Sequence, residues 1–296
     1  MPETPIAVRT FRWEDIPALL ALLGHQASSS HEERLRRWLR QPNMRPERDC
    51  LLAEAAGDAA GLRAYGYVVT EQAIDRGVLL LEGARGEAEA ALVQAAERHA
   101  AGLGLKVLHV DVPEADESRQ RLLGSRGFVY VRTHLHMRLT HATPLPVEPP
   151  GGMRLRMAER ADALALTALQ NAAFTGSWGY APNTADEIEY RIFDLPMPDP
   201  DPVLLLEEEG GVMAYCWDHR EGEGPGIVGM VAVHPRQQGR GLGRIVTAAG
   251  INHWLERGVS PIEITVDSDN TPAVRLYESL GFALDWRSLW YELRLA

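Results

Sequence analysis

The feature that most constrains this chain is an internal repeat with a break at its middle. Between His141 and Gly152 stand Pro144, Pro146, Pro149 and Pro150, followed by Gly151 and Gly152. Proline lacks the N–H that a helix or sheet ladder needs, so the segment reads as an extended linker cutting the chain almost in half. The halves begin alike. Val8-Arg9 leads through Asp15 into Ile16–Leu20, and Leu155-Arg156 leads through Asp162 into Ala163–Leu166. Each reads as a short strand, an Asp at a helix start and an amphipathic run. They also end alike, since Asp116–Phe128 parallels Asn270–Phe282. Each follows an apolar strand (Val107–Val112, Ile262–Val266) and predicts a short helix stopped by Gly, then another strand. A period of about 150 residues is too long for a solenoid and indicates two copies of one domain. The expected division is residues 1–142, a linker at 143–152, and residues 153–296.

In the second copy the pattern predicts helices near Asp162–Phe174 and Thr184–Phe193, then strands Val203–Glu207, Val212–Trp217 and Ile227–Val233. Helix Gly243–Arg257, strand Ile262–Val266, helix Pro272–Leu280 and strand Leu289–Leu295 follow. Strands alternating with helices, with hairpins early on, predict an α/β (mixed α+β) fold in which helices cover a mixed sheet.

Charge narrows the partners. The chain has 30 Lys and Arg against 41 Asp and Glu, a formal charge of −11, with no basic block. That argues against nucleic acid. Cys50 and Cys216 are the only cysteines, too few for a disulfide framework or a structural zinc site, so no metal is expected and both read as small buried hydrophobes. Met1–Pro5 lacks the basic and apolar regions of a secretory signal, and no apolar run approaches the roughly 20 residues of a membrane helix. The expectation is a cytoplasmic protein without a membrane partner, as a monomer or homodimer.

Chemistry concentrates after strand Ile227–Val233. There Gly239, Gly241 and Gly243 lie between a strand and a helix, flanked by Arg240 and Arg244. Backbone N–H groups at such a turn converge on an anion, and the absent side chains let a pyrophosphate come close. The spacing Gln238-x-x-Gly241-x-Gly243 resembles the acyl-CoA signature of the GNAT superfamily of N-acyltransferases. It lacks the Lys-Ser/Thr ending of a P-loop, and Val246 breaks the dinucleotide pattern. Further on, Val266–Phe282, with Asn270 and Tyr277-x-x-x-Gly281-Phe282, is similar to the same superfamily's strand, Asn, helix and Tyr block. Two such domains in tandem look like mycothiol synthase and its tandem relatives.

The resemblance implies two GNAT-like domains, each a mixed, mostly antiparallel sheet flanked by helices. It implies acetyl-CoA as cosubstrate, held by Val231, Ala232, Val233, Gln238, Gly239, Arg240, Gly241, Leu242, Gly243, Arg244 and Asn270. A small-molecule amine would attack the thioester directly, on a strand splayed from its neighbour so that backbone groups of Val231 and Val233 are free. Asn270 could hold the pantetheine or simply cap the next helix. Tyr277 could hydrogen-bond or protonate the leaving thiolate, since a phenol near pKa 10 faces a thiol of about 8.5. Phe174, Trp178 and Tyr180, around a Gly-containing loop, are expected to receive the acceptor or to anchor the core. Mycothiol synthase has a Glu where Ile227 stands. Glu221, Glu223 and His219 are the remaining candidates for the base, each also readable as a surface residue, and His234 reads as a turn residue. In the first copy Gly83–Glu89 put carboxylates at the Gly loop, with Leu123 at the Tyr and Asp116 at the Asn position, so that copy is expected to have lost CoA binding. The alternative to an N-acetyltransferase is a non-catalytic acyl-CoA sensor.

Overall fold

The computed structural model describes residues 5–24, 29–55, 61–83, 85–141, 143–196 and 200–295. Met1–Thr4 of the N-terminal segment and Ala84 of the first copy's degenerate loop lie outside them. The chain forms two compact units, one of residues 1–131 with 289–296, the other of residues 132–288.

Unit 1 runs β1 (Ile6–Thr10), α1 (Ile16–Leu22), α2 (Ser29–Leu39), α3 (Pro46–Asp49), β2 (Cys50–Ala55), β3 (Leu62–Glu71) and β4 (Arg76–Gly83). It continues with α4 (Glu87–Gly102), β5 (Val107–Pro113), α5 (Glu117–Ser125) and the first residues of β6 (Val129–Leu139). Strands β1 to β5 lie side by side in chain order, antiparallel except for the parallel β4/β5 pair. Alternation splits the side chains between two cores. Leu51, Ala53 and Val68 meet α4, while Leu52 and Tyr67 meet α1 and α2.

Unit 2 takes Arg132–Leu139 of β6 and adds β7 (Arg154–Met157), α6 (Ala163–Phe174) and α7 (Ala185–Glu189), which runs on into a π turn at Tyr190–Asp194. Then come β8 (Val203–Glu208), β9 (Gly211–His219), β10 (Gly226–Val233), α8 (Leu242–Glu256), β11 (Ile262–Asp267), α9 (Thr271–Ser279) and β12 (Ala283–Arg294). The order from β6 is β11, β10, β9, β8, β7, antiparallel except for β10/β11. On β9, Ala214 and Cys216 face α8, and Tyr215 and Trp217 face α6 and α7.

The expected elements of both copies are present, and the repeat shows in matching contacts. Arg9 bridges Asp15 at 2.7 Å and Glu54 at 2.6 Å, and Arg156 bridges Asp162 at 2.6 Å and Glu207 at 2.8 Å. Phe128 N–H donates to the Leu123 carbonyl as Phe282 N–H does to that of Tyr277, both at 3.1 Å. The compact units do not coincide with the two halves of the sequence, however. Unit 2 uses β6, written in the first half, to pair with β11 along Leu139–His134. Unit 1 uses the end of β12, where Leu295 N–H donates to the Lys106 carbonyl at 2.8 Å and Glu292 meets His109 at 3.0 Å. The segment between the halves is extended and fastened. Asn252 of α8 accepts from Leu145 N–H at 2.8 Å and donates to its carbonyl at 2.9 Å. No helix among the described residues is long and apolar enough to cross a membrane.

Candidate active site

The site begins with a gap in the sheet of unit 2. Strands β10 and β11 pair only from Gly226/Ile262 to Val228/Ile264, although β10 continues to Val233 and β11 to Asp267. A bulge at Gly229 shifts the β9 register between Val228 and Met230, which turns the strand where the gap opens. Which backbone groups face the gap follows from the ladder. His234 N–H donates to the Met213 carbonyl at 2.8 Å, so that pair is a hydrogen-bonded one. Such pairs alternate in an antiparallel ladder. Ala232 and Met230 therefore turn their polar groups to β9, while Val231 and Val233 turn theirs into the gap. Gln238 Nε2 donates to the Val233 carbonyl there, at 3.3 Å.

The Gly loop follows at once. His234 closes a turn at Pro235–Gln237 by accepting Arg236 N–H on Nδ1 at 3.2 Å. Gly239 and Gly241 have φ of +77° and +80°, the left-handed region that only glycine enters freely, and a Cβ at either would meet nothing within 4 Å. Gly241 is the residue that opens α8, so the first N–H groups of that helix point into an open cradle. Leu242 is buried and roots the turn, whereas Gly243 has an ordinary φ, and a Cβ there would stand 3.5 Å from the side chains of Leu276 and Val233. Arg240 bonds Gln237, and Arg244 holds Ser279 Oγ at 2.7 Å. A cradle of this kind fits a pyrophosphate.

Beneath the gap, on the α8 and α9 side, Tyr277 is buried against Phe282 with ring centroids 6.2 Å apart. Burial pushes its phenol well above the ordinary value, and the Cys216 thiol adds to this, so the hydroxyl stays protonated. Asn270 caps α9 by accepting Ala273 N–H at 3.3 Å. Cys216, free and buried, donates to Asp218 Oδ1 at 3.1 Å. Asp218 is fully enclosed, its Oδ2 has no hydrogen-bond partner among the described residues, and burial raises it to about 7.

The opposite side of the sheet carries the acceptor candidates, and the structure separates them. Phe174 and Tyr180 stack at 5.3 Å, with Tyr180 Oη donating to Asn171 Oδ1 at 2.7 Å. Trp178 stands apart, against Arg132 at 5.3 Å and His134 at 6.2 Å on β6. Three polar residues on this side of the sheet escaped the sequence reading. Arg191 of the π turn lies over the Trp217 ring at 4.9 Å. Gln170 accepts from Tyr215 Oη at 2.6 Å, and Asp201 accepts from Trp217 Nε1 at 2.9 Å. A charge inside the apolar run Tyr190–Phe193 was the available signal. Of the base candidates, Glu223 is fully exposed, Glu221 lies on the β9–β10 turn, and His219 is half-buried on β9 opposite Ile227.

Unit 1 has a comparable gap, and carries ion pairs at the first turn of α4. Its β4/β5 pairing also stops after three residues, at Val78/His109. Glu89, buried in the first turn of α4, takes Arg85 at 2.9 Å and Arg119 at 2.5 Å, and Arg85 reaches Asp116 at 2.7 Å.

Comparison with known proteins agrees with this geometry. The family described as Acetyltransferase (GNAT) family matches residues 163–282. A mycothiol acetyltransferase of Thermobispora bispora is 34% identical over 239 residues, covering 76% of this chain and 78% of its own. Another, from a Nocardioides species, is 33% identical and covers 85% of this chain and 83% of its own. Among solved structures, a tandem GNAT protein from the clavulanic acid biosynthesis pathway superposes with a TM-score of 0.73 at 14% identity, covering 99% of each chain, and so shares the fold. The chain belongs to the acetyltransferase (GNAT) family, as a tandem-domain, acetyl-CoA-dependent N-acetyltransferase related to the mycothiol acetyltransferases.

Proposed function

We propose that unit 2 transfers the acetyl group of acetyl-CoA to the amine of a small molecule by direct attack, and that unit 1 binds no CoA. One observation carries this reading: the backbone of Val231 and Val233 faces an unpaired gap beside the open cradle at Gly239 and Gly241. The cradle N–H groups, with Arg240 and Arg244 nearby, take the pyrophosphate, and Asn270 stays a helix cap. Backbone groups of Val231 and Val233 take the pantetheine amides, and an N–H there stabilises the oxyanion as the amine adds. Losing such a donor costs about 10²–10³ in rate. Tyr277, held protonated by burial, hydrogen-bonds or protonates the departing thiolate from the α9 side. The amine arrives from the α6 side, where Phe174, Tyr180 and Arg191 cluster and Trp178 borders β6. The relatives' name suggests a mycothiol-type acceptor, within a wider class of small amines that includes amino-sugar conjugates.

A second reading has one observation in its favour. Ile227 stands where a carboxylate is expected, which would suit a non-catalytic acyl-CoA sensor. Release of free thiol from acetyl-CoA over a panel of amines decides between them. Turnover with any amine, falling at least tenfold in Tyr277→Phe with CoA affinity unchanged, supports the transferase, since general acids contribute about 10²–10⁴. Tight CoA binding with no turnover on any amine supports the sensor.

A further inference from the structure

The transfer leaves one proton to place. An ammonium must lose a proton before its nitrogen can attack, and Tyr277 lies on the far side of the sheet from the acceptor cluster. Resting on the acetyl-transfer reading, we propose that His219 is the general base, accepting this proton at the bulge of β10.

Three observations place it there. Side chains alternate along β9, so His219 shares the face of Tyr215 and Trp217, the one turned to α6 and α7. In register it sits opposite Ile227, two residues before the point where the gap opens. The sheet is also shaped around its ring. A Cβ at Gly229 would stand 2.5 Å from His219 Nδ1 and 2.8 Å from Cε1, so only a glycine at the bulge leaves room for the imidazole. Finally, neither ring nitrogen has a hydrogen-bond partner among the described residues. Nearby charges are few. Burial lowers the imidazole below its ordinary value and Arg191 of the π turn adds to this, outweighing the opposite effect of Glu221 on the β9–β10 turn. Beyond Ile227, Glu263 of β11 is engaged by Arg138 at 2.7 Å and is not free to serve as the base. His219 is thus neutral and ready to accept a proton at neutral pH.

The step balances. The ammonium gives one proton to the imidazole, which passes it to solvent. The amine nitrogen then forms the C–N bond as the C–S bond breaks, and the second proton leaving nitrogen ends on sulfur, with Tyr277 serving the thiolate.

The test uses the full chain with the best amine found. His219→Ala should lower kcat/KM by about 10²–10⁴ and abolish its acid limb, which in wild type has a midpoint below the ordinary value of about 6.5. Acetyl-CoA affinity, measured by calorimetry, should not change, which also certifies the fold. Added imidazole should restore turnover in His219→Ala but not in His219→Gln, where the cavity is filled. A variant with wild-type turnover overturns the proposal. So does one that loses turnover while keeping the acid limb and gaining nothing from imidazole. A wild type without turnover on any amine instead overturns the underlying reading.

Discussion

Asp218 shows how one side chain can tie stability to pH. Its carboxyl is walled in by Cys216 and by Gly250 of α8, where a Cβ would come within 2.7 Å of Oδ2. Burial raises it to about 7, and Asp201 is raised to a similar value. An unfolded Asp titrates near 3.9. Between about pH 4 and about pH 7 these two folded-state carboxyls therefore hold protons that the unfolded chain has released, and their contribution to stability falls as pH rises across that window, against the opposite contribution of His136 and His253, which burial lowers to about 4. Asp218→Asn removes its share of the slope, stabilising the protein at and above neutrality by up to a few kcal/mol. Denaturant midpoints measured across this range check it, and parallel curves for wild type and variant would refute it.

At the scale of elements, the Gly loop separates two kinds of glycine that look alike in the sequence. Gly241 is needed for its backbone, so Gly241→Ala should cost about 1–2 kcal/mol locally and weaken CoA binding. Gly243→Ala should leave the melting temperature nearly unchanged, because the added Cβ would meet its neighbours at 3.5 Å, an ordinary van der Waals contact. Calorimetry should find one CoA per wild-type chain, and two equal sites would overturn the proposal that unit 1 binds none. The strands, the helices and the loop itself were legible because periodicity and glycine spacing are local signals. The acceptor side was less so. Trp178 and Tyr180 are two residues apart yet turn to different partners, β6 and α6. The claims of Arg191, Asp218 and His219 depend on burial, which the sheet assigns from strands far apart in sequence. His219 could be named beside Glu221 and Glu223, but only the bulge at Gly229 distinguishes it from them.

For the whole molecule, the exchanged strands decide what can be cut. A chain of residues 153–296 keeps every residue of the Gly loop but loses β6, leaving Ile262–Asp267 of β11 without its antiparallel partner. An exposed edge of that kind invites pairing with other chains. Such a fragment should aggregate or melt without cooperativity, whereas residues 132–288 should give a folded unit that binds CoA. Circular dichroism melts and calorimetry on both fragments check this, and full-length affinity in the shorter-cut 153–296 piece would overturn it.

The closing strand of unit 1 also sets a clock. Residues 289–295 are made last among those described, yet they supply the bond to Lys106 and the carboxylate at His109. With ribosomes adding roughly 5–20 residues per second, β5 waits on the order of ten seconds or more after its own synthesis before this neighbour emerges. During that interval the nascent first unit presents an open strand edge, so its folding in the cell depends on how well that edge is shielded while the second unit is still being translated.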